Sequence, residues 1–168
     1  MGAVTPKRRD EAGLTLTEVA VVMIIGTMIM AGLVGFYLAS QGLWLDASTQ
    51  AITQREATLV ASTIRDKVRA SGRAQAFSVP DSLHQQLALY GSAGDPVPSY
   101  YFWWDPNDSL IHAGPTIGGP NSGPMVMSIA ERFQFSTSNL KPAVRVDIRL
   151  RSATGSTVEV GTLAVFMN

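Results

Sequence analysis

Glu18 carries the most demanding chemistry in this sequence. It stands at the margin of a run, Val19 to Leu45, that contains no Asp, Glu, Lys or Arg over 27 residues. An ionised carboxylate drawn into hydrocarbon costs several kcal/mol unless it is paired. The nearest basic residues before it are Lys7, Arg8 and Arg9, and the next one after it is Arg55. Taken alone, Glu18 could equally be a solvated acid favoured at a helix N-terminus by the helix dipole.

Other reactive residue types are sparse. His84 and His112 are the only histidines, lie 28 residues apart and lack metal-ligand spacing, so both are expected on the surface or in loops. Asp105 and Asp108 could hold a cation with loop carbonyls, but Asp105-Pro106-Asn107-Asp108 is first a turn sequence, and no metal is expected. Trp103 and Trp104 are adjacent. On a strand one of them faces the core, leaving the other free for a partner. Arg65, Lys67, Arg69 and Arg73 are interrupted by Asp66, and solvation of a helix surface accounts for them. The chain has no cysteine, which removes disulfides, thiol nucleophiles and thiolate metal sites. No nucleophile–base pair, phosphate loop or acid pair is evident, so neither an enzyme nor a cofactor is expected.

The elements that must carry these residues follow from charge and periodicity. Thirteen Lys and Arg balance thirteen Asp and Glu, so no global field points to nucleic acid or acidic substrates. The uncharged run exceeds the roughly 20 residues that cross a bilayer core as a helix. It is also longer than the roughly 7–15 apolar residues of a secretory signal. The basic cluster ahead of it predicts a single pass with the N-terminus in the cytoplasm. From Asp46 to about Gly72 the chain turns amphipathic, with Ile52, Leu59, Val60, Ile64 and Val68 expected on one stripe. Residues 14 to about 71 therefore read as one helix, on the order of 85 Å long.

Beyond Gly72, prolines and glycines punctuate strand-like runs. Tyr100–Trp104 reads as a strand turning at 105–108 into Leu110 and Ile111, and Phe133 and Phe135 alternate with polar neighbours. The clearest strand is 144–151, where Val144, Val146, Ile148 and Leu150 alternate with Arg145, Asp147, Arg149 and Arg151. Thr154-Gly155-Ser156 turns it into 158–166 as a hairpin. Asp81–Tyr90 is expected as a short helix, and 114–124 as a loop. The fold class is α+β: a long N-terminal helix, membrane-spanning and then amphipathic, packed on an antiparallel sheet domain.

The junction Arg8-Arg9-Asp10-Glu11-Ala12-Gly13, followed by Leu14-Thr15-Leu16-Thr17-Glu18 and the apolar run, resembles the type III signal of prepilins and pseudopilins. Leu14 stands where most members carry phenylalanine. The resemblance implies cleavage after Gly13 by prepilin peptidase, methylation of the new N-terminus at Leu14, and a role in assembly for Glu18. It also implies a leader 1–13, a membrane and filament-core helix 14–45, an amphipathic continuation 46–72 and an exported domain 73–168. Partners would be the peptidase, other pilin-like subunits and the inner membrane. The electrostatics agree, because removal of the leader makes the α-amine of Leu14 the nearest cation, one helical turn from Glu18. Two unit charges about 4 Å apart at an effective dielectric near 20 attract by roughly 4 kcal/mol before desolvation is subtracted.

Three further stretches, Tyr100–Phe102 with Asp105 and Leu110, Ile129–Phe135, and Pro142–Val146, resemble the J-type minor pseudopilins of type II secretion and the W-type minor pilins. This implies a low-abundance subunit at a filament tip. Two alternatives stand beside it. One is a DNA-uptake pseudopilin binding through Arg145, Arg149 and Arg151, although 73–168 holds six Lys or Arg against seven Asp or Glu and nucleic acid is not an expected partner. The other is a membrane-tethered binding module with an uncleaved anchor, which would need a pocket of converging polar groups.

Overall fold

The computed structural model describes residues 15–78, 83–137 and 143–166. The chain is α+β: among the described residues one helix, α1 (Leu16–Arg69), is followed by eight strands in two antiparallel sheets. The arrangement is consistent with a pilin-like architecture. It divides into two compact units, 1–44 and 45–168.

In the first unit the described residues, 15–44, form the start of α1 with Glu18 and then its uncharged run, and the apolar side chains of that run are exposed. By length and composition α1 can cross a membrane.

In the second unit α1 contributes Ala57, Val60, Ile64 and Val68 to the core. With Thr53 and Ala61 these recur every three or four residues and form one face. The expected stripe is therefore only partly right. Ile52 and Leu59 are 59% and 54% exposed and point away from the sheets. The buried face instead includes the small side chains of Thr53, Ala57 and Ala61 beside Val60, Ile64 and Val68. The helix ends where expected, as Gly72 donates its N–H to the Tyr90 carbonyl (2.9 Å). A Cβ on Gly72 would stand 2.7 Å from the Cα of Ser92, so glycine is required there.

The larger sheet runs β1 (Arg73–Ser78), β2 (Gln85–Tyr90), β3 (Tyr100–Asp105), β4 (Leu110–Gly114) and β5 (Gly123–Pro124) in that spatial order. The helix expected over 81–90 is not formed. Positions 81 and 82 lie outside the described residues, Leu83 lies in a turn, His84 makes a lone bridge to Phe133, and the rest is β2, whose Leu87, Ala88, Leu89 and Tyr90 are all buried. A strand covered on both faces needs no alternation, and its short apolar run cannot be told from a helix by pattern. β1, with the sequence Arg-Ala-Gln-Ala-Phe-Ser, is a further strand beyond those the sequence pattern predicts.

The smaller sheet is β6 (Ile129–Thr137), β7 (Ala143–Arg151) and β8 (Thr157–Val165). β7 follows its sequence pattern, with Val144, Val146, Ile148 and Leu150 fully buried. Gly155, at φ +89°, closes the turn between β7 and β8. Phe133 and Phe135 face the same core and meet edge to face, 4.7 Å between centroids. The two sheets are tied along β6. Phe133 donates to the Leu83 carbonyl (3.0 Å), Ala130 to the Ser109 carbonyl (2.9 Å), and Phe135 to the Gln85 side chain.

Polar rungs fasten the loops to α1. The Glu56 carboxylate accepts the N–H groups of Met127 (3.2 Å) and Ser128 (3.0 Å), and Thr53 Oγ1 meets Ser128 Oγ at 3.2 Å. Replacing Glu56 by alanine orphans two backbone donors and is expected to cost about 1–2 kcal/mol, since bonds to a charged acceptor exceed neutral ones but these are partly solvated. Chemical denaturation of Glu56→Ala beside Glu56→Gln checks this, and the amide should recover part of the loss.

Candidate functional site

The start of α1 is built by Thr15 and Glu18. Thr15 donates its N–H to Glu18 Oε2 (2.9 Å), and its hydroxyl donates to the same oxygen (3.0 Å). Glu18 returns its own N–H to Thr15 Oγ1 at 3.4 Å. This reciprocal pattern is a capping box, in which a threonine and an acid three residues later satisfy each other's orphan donors. It adds a second task for Glu18 beyond the assembly role implied by resemblance. The signal was readable as Thr-x-x-Glu. Gly13 and Leu14 lie outside the described residues, so the proposed amine–carboxylate pair has no geometry here.

Beyond Glu18 the exposed surface of α1 is predominantly apolar up to Leu45, and polar side chains along it bond within the helix. Thr27 Oγ1 donates to the Ile24 carbonyl (2.8 Å) and the Gln41 amide to Tyr37 Oη (2.6 Å). Local satisfaction of this kind is what hydrocarbon demands of polar side chains. Trp44 closes the run, exposed, as an aromatic at a membrane interface would be.

The tryptophan pair differs from expectation. Trp104 shares the core side of β3 with Phe102 and is half-buried, lying flat on His84 with centroids 3.9 Å apart. Trp103, on the other face, is only 4% exposed and stacks on its cross-strand neighbour His112. Neither ring is left free. His84 is likewise buried, its Nε2 3.1 Å from the Ala130 carbonyl, because β2 and β6 close over it.

The β3–β4 hairpin brings Asp105, Asp108 and His112 together, with one donor atom of each within 4.8 Å of the others. Sequence spacing missed His112, which strand pairing carries back toward the turn. All three are already engaged. Asp105 Oδ1 accepts the N–H and side-chain amide of Asn107, Asp108 Oδ1 accepts the Leu110 N–H, and Asp108 Oδ2 lies 2.8 Å from His112 Nε2.

Arg145, Arg149 and Arg151 share the outer face of β7, as the alternation required, and each meets an acid. Arg145 Nε lies 3.1 Å from Asp147, Arg149 Nη2 2.8 Å from Glu159 and Arg151 Nε 3.5 Å from Glu131, while Arg132 also reaches Glu159 at 3.5 Å. Lys67 and Arg73 lie over the rings of Tyr100 and Tyr90.

Three carboxyl groups of the second unit are held below their usual range. Ser92 does this for Asp95 through its hydroxyl and N–H, and Arg149 for Glu159 through a hydrogen bond and its charge. For Asp108 burial opposes ionisation, but the Leu110 N–H and His112 outweigh it. A depressed folded-state pKa stabilises the protein above the unfolded value and is lost as pH falls through the folded one. Thermal unfolding of the detergent-solubilised chain is therefore expected to stay flat from neutral pH to about 5 as far as these groups are concerned. It should fall progressively below about pH 4, where ordinary Asp and Glu titrate.

Residues 8–34 match the prokaryotic N-terminal methylation motif. No curated protein and no solved structure matches the chain. The match begins in the basic stretch and runs into α1 past Glu18. The motif indicates a pilin- or pseudopilin-like protein. It implies processing by prepilin peptidase and assembly with pilin subunits, and with the apolar helix it fits anchoring in the inner membrane.

Proposed function

We propose that the chain is a minor pilin-like (pseudopilin) structural subunit of a type II secretion or type IV pilus machine. It is cut after Gly13, methylated at Leu14, assembled at or near the filament tip, and has no enzymatic activity. One observation carries this reading: the methylation motif leads directly into α1, where Glu18 is the only charged residue between Leu14 and Leu45. Lys7, Arg8 and Arg9 hold the N-terminus in the cytoplasm, so the sheets face the other side. The J-type and W-type assignment draws support from β3, β6 and β7, which carry Tyr100–Phe102 with Asp105, Ile129–Phe135 and Ala143–Val146 of the stretches that resemble those proteins. Before assembly the chain is a single-pass protein of the inner membrane.

The DNA-uptake alternative has little basis in charge, since Arg149 and Arg151 of the β7 face are paired with acids and only Arg145, which meets Asp147 through Nε, keeps its Nη groups free among the described residues. No salt-dependent DNA affinity is expected of the full chain, measured between low and physiological salt.

Shearing filaments from cells that overproduce the machine tests the proposal. The chain should appear in the sheared fraction at a small fraction of the abundance of the main subunit. Confinement to the membrane fraction, with filaments otherwise intact, would overturn it.

A further inference from the structure

We propose that β8 is a docking edge for an extended, acidic segment of another protein, which adds to the β6–β7–β8 sheet as a fourth strand. This goes beyond the assembly reading and does not depend on it. The two edges of this sheet are treated differently. On β6 the N–H groups of Ala130, Phe133 and Phe135 are taken by Ser109, Leu83 and Gln85. On β8, among the described residues, no loop or side chain bonds the outward backbone groups. An antiparallel strand turns the N–H and C=O of every second residue away from its partner. Edge strands are ordinarily blunted by lysine, proline, bulges or short length. β8 has none of these: it pairs with β7 without a shift over nine residues, Thr157 to Val165, and contains no Lys or Pro.

The side chains along this edge specify the occupant. A shallow notch of about 320 Å³ lies over Gly161, lined by Arg145, Gly161, Thr162 and Leu163. Leu163 is 60% exposed and sits opposite Arg145 across the β7–β8 pair. Arg145 gives only its Nε to Asp147, so both of its Nη groups remain free among the described residues. An open main-chain ladder, an exposed leucine and a guanidinium with spare donors together fit a strand carrying a carboxylate and an apolar side chain on one face. A second copy of this chain does not supply that carboxylate. The one acid of β8, Glu159, is already held by Arg149 and Arg132.

The test uses the full chain in detergent micelles and a fluorescent nonapeptide, Thr-Val-Glu-Val-Leu-Val-Glu-Val-Thr, followed by polarisation. Saturable binding is expected. It should weaken about tenfold when alternate peptide amides are N-methylated, when both glutamates become lysines, or in Arg145→Ala or Leu163→Lys. Arg145→Glu should regain affinity for the lysine peptide. Both side chains are exposed, and unchanged circular dichroism will show that the variants fold. Absence of saturable binding, or binding indifferent to N-methylation and to Arg145→Ala, would overturn the proposal. So would a homodimer dissolved by Leu163→Lys without peptide binding, which would give this edge to a second copy.

Discussion

Glu18→Gln is expected to leave α1 properly started and yet to abolish entry into the filament. Glutamine can replace glutamate in a capping box, because its side-chain oxygen still accepts the Thr15 N–H and hydroxyl. What it lacks is charge. If the assembly role of Glu18 is to meet the α-amine of Leu14, Glu18→Gln and Glu18→Ala should fail alike. An attraction of roughly 4 kcal/mol corresponds to about a thousandfold, and even with most of it offset by desolvation more than tenfold should remain. Immunoblots of sheared filaments against membranes measure the ratio. Membrane content should stay level, since neither substitution adds charge to the span. Should Glu18→Gln enter filaments as the wild type does while Glu18→Ala does not, the hydrogen bonds to Thr15 matter and the charge pairing does not. Thr15→Ala, which removes only the hydroxyl side of the box, should lower assembly far less.

Phe133→Ala is expected to cost about 3–5 kcal/mol of the stability of the second unit. Phe133 is fully buried, packs edge to face on Phe135, and belongs to the strand that ties the two sheets together. Its truncation leaves a cavity where α1 and both sheets contribute side chains, and close-packed surroundings collapse only partly into such a space. Domains of this size have about 5–15 kcal/mol in total, so the variant should unfold at a much lower denaturant concentration and accumulate poorly in cells. Denaturant titration, with Leu163→Lys as an exposed control expected within about 0.5 kcal/mol of wild type, separates the lost packing from a general effect of substitution.

The parts readable in the sequence were those governed by local pattern. Residues 8–34 announce themselves through charge, Gly13, Glu18 and the uncharged run, and β7 through strict alternation of valine and arginine. The unreadable parts are tertiary. Ile52 and Leu59 share a helical face with each other but not with Val60, Ile64 and Val68, and the choice of which face meets the sheets is made by tertiary packing rather than by local pattern. β2 looks helical because it is apolar on both sides, and its burial on both is a property of the finished fold. His112 joins Asp105 and Asp108 only through the hairpin register. Trp103 is hidden by a cross-strand histidine on a face that alternation alone would leave to solvent. The capping box, by contrast, is local and is written in the sequence as Thr15-x-x-Glu18.

The proposed function requires that proteolysis turn Leu14 into an N-terminus. Mass spectrometry of the N-terminal peptide, on chain extracted from membranes of cells that carry prepilin peptidase, measures this directly. Residues 1–13 are expected to be gone, and the peptide to begin at Leu14 with one added methyl group. A chain that retains Met1 or Gly2 in those cells would contradict the proposed function and leave a protein that is merely anchored.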